Sequence, residues 1–261
     1  MTFRLLLIVS ALATTAQAED GFTLRVLSYN IRHCRGMDDK VDLGRIADVI
    51  RSVEPDVVAL QEVDRDVARS GSVDQPRELG RLLGMEPIFG ANIELQGGHY
   101  GNAILSRLPI SRHQNHTLPN LDGGEQRGLL EAEILRPDRS GTFLLFCTHF
   151  DHRRDDQERY QSAGMVNRLA SRRGDLPALL VGDLNDLPES RSLAALSPGW
   201  VRANRQPLAT IPVDRPARQI DYIFYRPAGR WRVTEVRVLD EPLASDHLPL
   251  FAELQWVPPA G

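Results

Sequence analysis

The chain has 261 residues, 42% of them hydrophobic and 25% charged, enough apolar material for one sizeable core and far from the bias of a disordered or collagen-like sequence. Its formal net charge of −4 excludes a globally basic polyanion binder, so any attraction to nucleic acid or an anionic membrane must come from a local basic rim. No repeat, low-complexity tract or glycine/serine linker divides the sequence, which predicts one continuous fold.

In chain order, Met1–Ala18 has the form of a signal peptide. Arg4 supplies the positive start, Leu5–Ala13 the apolar run, and Ala16-Gln17-Ala18 a small-x-small cleavage site. The expected mature domain is 19–261, and the expected location is periplasmic or secreted. The apolar run falls short of the roughly 20 residues that a membrane span needs, and no later segment approaches that length. Strand-like runs follow at Leu24–Asn30, Val57–Gln61, Asn102–Ser106, Leu129–Leu135, Phe143–Phe150, Ala178–Gly182, Ile220–Tyr225, Trp231–Leu239 and Leu250–Trp256. Helical spacing appears after Asp42, where Leu43, Ile46, Ala47 and Ile50 recur and Pro55 ends the segment. Further helices are expected over Pro76–Leu83 and about Asp155–Arg172. This alternation predicts an α/β protein with two packed sheets and helices outside them. The two cysteines, Cys34 and Cys147, are permitted to pair in an oxidising compartment, but Cys147 lies in an apolar strand, which speaks against it.

Polar residues gather where those strands end. Glu62 closes the run Val57–Gln61, where a carboxylate can offer oxygen to a hard cation; the plain alternative is a solvated loop acid. Gly182-Asp183-Leu184-Asn185 ends another strand with an acid and an amide two positions apart, which extended backbone would place on one face. Asp183 can then take a proton from water while Asn185 donates to a phosphoryl oxygen, although an Asx turn fits the same residues. His149 stands at a third strand end and Asp246-His247 before the last strand. Asp221 is an acid in an apolar strand and requires a partner, for which His247 is the candidate.

Taken in order, Ser28-Tyr29-Asn30-Ile31, Leu60-Gln61-Glu62-Val63-Asp64, Tyr100-Gly101-Asn102, Arg127-Gly128, Thr148-His149, Gly182-Asp183-Leu184-Asn185, Ile220-Asp221-Tyr222 and Ser245-Asp246-His247 resemble the endonuclease/exonuclease/phosphatase superfamily. The resemblance implies a four-layer α/β/β/α sandwich of two packed mixed sheets and a Mg²⁺-dependent phosphoester hydrolase, with Mn²⁺ as a possible substitute. It implies metal ligation by Asn30, Glu62 and Asp246, activation of water by Asp183, and stabilisation of pentavalent phosphorus by Asn185. By the same carry-over His149 and His247 contact phosphate, Asp221 orients His247, Arg127 is a phosphate-side cation, and Tyr100 and Asn102 line the cleft.

The substrate is less legible. A phosphodiesterase or nuclease is the first expectation, because Arg32, His33, Arg35, Arg69, Arg127, His152, Arg153 and Arg154 flank the proposed site, with His152 and Arg153 the candidate substrate contacts. Acids interrupt that track at Asp38-Asp39, Asp64 and Asp155-Asp156. A phosphatase or lipid-headgroup phosphodiesterase is the alternative, and a non-catalytic secreted binding protein the remote one. Nucleic acid, a nucleotide or a phospholipid headgroup are thus the candidate partners, and no protein partner is inferred.

Overall fold

The computed structural model describes residues 21–137 and 139–257; the expected leader at Met1–Ala18 lies outside them. In chain order the strands are β1 (Thr23–Asn30), β2 (Val57–Arg65), β3 (Glu86–Leu95), β4 (Gly98–Ser106), β5 (Ile110–Thr117), β6 (Gly128–Leu135), β7 (Thr142–His149), β8 (Ala178–Asp183), β9 (Val201–Arg202), β10 (Asp221–Arg226), β11 (Trp231–Val238) and β12 (Leu250–Trp256). The helices are α1 (Leu43–Arg51), α2 (Gln75–Leu83), α3 (Gln157–Ser171) and α4 (Arg191–Leu196). Among the described residues no helix is long and apolar enough to cross a membrane.

One sheet runs β11-β12-β1-β2-β4-β3 and the other β5-β6-β7-β8-β10-β9. Strand periodicity explains how they pack. Leu24 and Val26, Val57 and Ala59, Leu145 and Cys147, Leu179 and Val181, and Ile223 share the core between the sheets. The intervening residues face helices: Leu27, Tyr29, Val58 and Leu60 pack with Ile46, Ile50 and Leu79, and Leu144, Phe146, Leu180 and Tyr222 pack with Val166 and Leu193. The result is the four-layer α/β/β/α sandwich. Cys34 belongs to the α1–α2 layer and Cys147 to the core between the sheets, so both are free, buried thiols.

Local chemistry sets the helix ends. Asp42 accepts from the Arg45 N–H (2.9 Å) ahead of α1, and Asp74 accepts from that of Arg77 (3.0 Å) ahead of α2, where Pro76 occupies the first turn. Gly84 ends α2 in the left-handed region at φ 65°. The nine strands and three helices expected from sequence are present with boundaries shifted by up to four residues. Three strands and one helix lie outside those expectations. β3 and β5 are adjacent to only one strand each, their exposed faces are polar, and register shifts at Ala91/Ile93 and Ile110/Arg112 break their alternation. β9 and α4 are too short for a period to show.

Candidate active site

The same alternation that builds the core delivers its polar residues. Asn30 follows Val26 by four positions, His149 follows Cys147 by two, Asp183 follows Val181 by two and Asp221 precedes Ile223 by two, so all four side chains turn between the sheets. β1 with β2, and β7 with β8, are parallel pairs, which brings Asn30, Gln61, His149 and Asp183 to one end of the sandwich. β10 and β12 run the other way, so the start of β10 and the turn before β12 add Asp221 and His247 at that end. Asp183 is in register with His149 on one side and Asp221 on the other. Gly182 makes this spacing possible: at φ 147° a Cβ there would lie 1.9 Å from the Thr148 carbonyl oxygen.

Glu62 arrives differently. It sits at a register shift in β2 with φ 57°, and this bulge turns its carboxylate towards the cleft. The cleft, about 410 Å³, is lined on its reactive side by Glu62, His149, Asp183, Asn185 and His247. Asp183 Oδ2 is the hub. It accepts from Asn30 Nδ2 at 3.2 Å and lies 3.4 Å from His149 Nε2 and 3.8 Å from His247 Nε2. Burial raises the Asp183 pKa, Asp221 raises it further, and His247 and the Asn185 and Asn30 N–H donors pull the other way, leaving it at about 7.

The two imidazoles differ in charge. Burial disfavours a cation at His247, but the nearby Asp221 charge, its hydrogen bond from Nδ1 (2.9 Å) and Asp183 override this and raise the pKa to about 10. His149 moves well below the ordinary value, first through burial and then through Arg127. Arg127 Nη1 lies 3.0 Å from His149 Nδ1 and can only donate, so that nitrogen accepts and the ring hydrogen resides on Nε2, facing Asp183. Arg127 Nη2 donates likewise to His152 Nδ1 at 3.0 Å.

The oxygen donors suit a hard divalent cation. Asn30 Nδ2 donates to Glu62 Oε1 at 3.0 Å, and burial raises the Glu62 pKa against that hydrogen bond and the nearby His247 and Arg127 charges. Asp183, Asp221 and His247 also offer three ligand atoms within 4.8 Å of one another. Hydrogen bonding and charge pairing within that trio account for its closeness; on the other side Glu62 and Asn30 would offer a cation their oxygens, with Asn30 Oδ1 also accepting from the Arg32 N–H at 3.1 Å.

Other expected site residues are placed differently. Asp246 stays close enough to raise the Glu62 pKa, yet its Oδ2 faces Arg32 Nε at 3.8 Å. Asn185 does not continue an extended strand: at φ 50° its N–H donates to Asp183 Oδ1 (2.8 Å) and its Nδ2 to the Phe150 carbonyl (3.1 Å), so the Asx turn itself presents it to the cleft. Tyr100, Arg127 and His152 line the cleft. Asn102 does not; it is buried and donates to the Gly128 carbonyl at 3.0 Å, tying one sheet to the other. Arg153 also turns away, towards Asp151, Glu158 and Asp122, because three carboxylates compete for it there. Arg69, Glu125, Ile93 and Leu95 complete the lining. Ile93 and Leu95 belong to β3, which no sequence period announces, whereas the basic loop at Arg69 is the sequence signal for that wall.

The sequence model of the endonuclease/exonuclease/phosphatase family matches residues 27–247. The chain belongs to this family. The protein YbhP of Escherichia coli K12 is 29% identical over 248 residues, covering 89% of this chain and 96% of that protein. A family structure from Beutenbergia cavernae is 29% identical with a TM-score of 0.79, over 90% of this chain and 72% of that one. A mannosyl-6-phosphatase from Bacteroides thetaiotaomicron shares the fold at 23% identity and a TM-score of 0.73, over 88% and 99% of the two chains. Members of the family are phosphoester hydrolases, generally dependent on a divalent metal, and this chain is such a hydrolase.

Proposed function

We propose that the cleft hydrolyses a small phosphoester by direct in-line attack of water, with Mg²⁺, or Mn²⁺ in its place, held by Glu62 and Asn30 beside Asp246. The carrying observation is the placement of Asp183 Oδ2 within 3.4 Å of a neutral imidazole and 3.8 Å of a cationic one. Asp183 accepts a proton from water as the oxygen bonds to phosphorus, and its pKa of about 7 suits a base working near neutrality. His149 donates from Nε2 to a phosphoryl oxygen, and His247, oriented by Asp221, adds positive charge. Asn185 directs its remaining Nδ2 hydrogen to the same oxygens. When bound, the cation neutralises phosphoryl charge as it develops. The bond from phosphorus to the alcohol oxygen breaks, that oxygen takes a proton from solvent, and the products are the alcohol and a phosphate.

The arginines support a small substrate. A nucleic-acid track requires unpaired cations. Here Arg32 pairs with Asp246, Arg35 with Asp39 (2.8 Å), Arg69 with Asp64 (2.8 Å), Arg127 with Glu125 (2.8 Å) and Arg153 with three acids, and His33 is buried; of the flanking arginines only Arg154 is exposed without an ion pair among the described residues. This favours a compact phosphoester over the nucleic acid that a nuclease, one of the two activities put first from sequence, would take. A mannosyl-6-phosphatase on the same fold is consistent with that size. The leader pattern supports a periplasmic or secreted location, which N-terminal sequencing of the exported protein tests.

Activity is tested with purified protein and Mg²⁺ on 4-nitrophenyl phosphate, bis(4-nitrophenyl) phosphate, a single-stranded oligodeoxynucleotide and sphingomyelin vesicles. Small esters should be cleaved faster than the oligonucleotide, and chelation should stop turnover. An oligonucleotide preference, or turnover indifferent to chelation, contradicts the reading.

A further inference from the structure

The part of the cleft lining around Arg69 and Tyr100 has its own construction. Arg69 Nε and Nη2 donate to Asp64 at 2.9 and 2.8 Å, and Asp64 is wholly buried. The Ser70 hydroxyl donates to the same carboxylate at 2.9 Å, and the Asp64 N–H donates to Gln75 Oε1 at 2.9 Å, so the acid is locked before any substrate arrives. The guanidinium lies over the Tyr100 ring, 5.2 Å from its centroid, and the Arg69 N–H is tied to Gln96 Oε1 in the β3–β4 turn. The bulge between Ala91 and Ile93 sets Ile93 opposite Tyr100, and Leu95, two residues on, shares that face.

Two consequences decide what this wall can hold. Arg69 Nη1 makes no hydrogen bond among the described residues, so its donors are free on the guanidinium of an arginine that lines the cleft. The positive charge, however, is already matched by Asp64, as that of Arg127 is by Glu125. Both arginines that line the cleft carry matched charge, so neither offers a second phosphate an uncompensated cation. Fixed N–H donors, a carboxylate acceptor at Glu125 and the apolar surface of Ile93 and Leu95 instead match an uncharged ring bearing several hydroxyls.

We propose that Arg69, Tyr100, Ile93 and Leu95 form the subsite for the alcohol half of the substrate, and that this alcohol is an uncharged, sugar-like polyol carrying a single phosphate. The proposal rests on the small-phosphoester reading above. Hydrolysis breaks the bond from phosphorus to the sugar oxygen and releases the free polyol and inorganic phosphate, with Arg69 a specificity residue that never touches phosphorus.

The test compares kcat/KM for a hexose 6-phosphate, the corresponding hexose 1,6-bisphosphate and 4-nitrophenyl phosphate, with Mg²⁺ present. Wild-type protein should favour the hexose monophosphate by about tenfold or more over each of the others, the scale of one or two hydrogen bonds to a charged donor. Arg69→Lys keeps the charge and loses the fork, and should bring that preference close to parity, mainly through KM. Leu95→Trp fills the apolar side at a half-buried position without disturbing the Asp64 lock, and should reduce the preference in the same way. A bisphosphate handled as well as the monophosphate, or a preference that survives both substitutions, overturns the subsite while leaving the small-phosphoester reading intact. Cleavage of the oligonucleotide with no monoester turnover overturns both.

Discussion

His149 and His247 stand within 4 Å of the same carboxylate oxygen, yet one is neutral and the other cationic. Burial pushes both towards neutrality, so the difference lies in what each Nδ1 meets. A guanidinium donates to His149 and fixes its hydrogen on the cleft side; a carboxylate accepts from His247 and holds its charge. Identical side chains from different strand ends thereby take two electrostatic roles around a single base.

The largest expected effect removes the shared partner. Asp183→Asn should lower kcat by about a thousandfold or more while circular dichroism stays native, the range typical of losing a positioned base. Retained turnover would show that both imidazoles act without it. Next, Asp221→Asn should cost about a hundredfold in kcat and bring the His247 pKa down from about 10 towards 6.5, moving the alkaline limb of the pH–rate profile with it. The same group predicts a stability slope. A folded-state pKa raised from 6.5 to about 10 gives stability that is complete below 6.5 and lost as pH rises through 10, so urea midpoints should fall across that window in wild type and less in Asp221→Asn. Parallel slopes in the two proteins would detach His247 from Asp221. On the other side of the pair, Arg127→Met should raise the His149 pKa and increase KM by about tenfold, since a phosphate-side donor and the guard on the ring are lost together. An unchanged KM would remove Arg127 from substrate contact. The smallest kinetic effect is expected at Arg153→Met, which should lower Tm by leaving Asp151 and Glu158 unpaired while kcat/KM per folded molecule holds. A KM increase there would return Arg153 to the cleft.

How much of this is readable from the chain depends on whether a residue obeys strand alternation. Where it does, the apolar period points straight at the catalytic group: Leu179, Val181 and Asp183 continue one face, as do Asp221 and Ile223, and the Asp221–His247 pair follows from a buried acid needing a partner. Residues presented by left-handed backbone escape that logic. Glu62 at φ 57° and Asn185 at φ 50° reach the cleft because the chain leaves the regular strand, and nothing in a two-residue period announces a bulge or an Asx turn. Long side chains are the least legible. Arg153 and Arg69 read alike as exposed cations, but Arg153 is drawn off by Asp122 and Asp151 in nearby loops and Glu158 in the first turn of α3, and Arg69 is held in the cleft by one buried Asp64. Such partners are settled only by tertiary packing.

The central claim is tested most directly by ¹⁵N NMR titration of the histidine ring nitrogens in metal-free protein. At pH 7 His149 should be neutral with its hydrogen on Nε2, and His247 should be doubly protonated and remain so to about pH 10. Two rings that titrate together near 6.5 would contradict it.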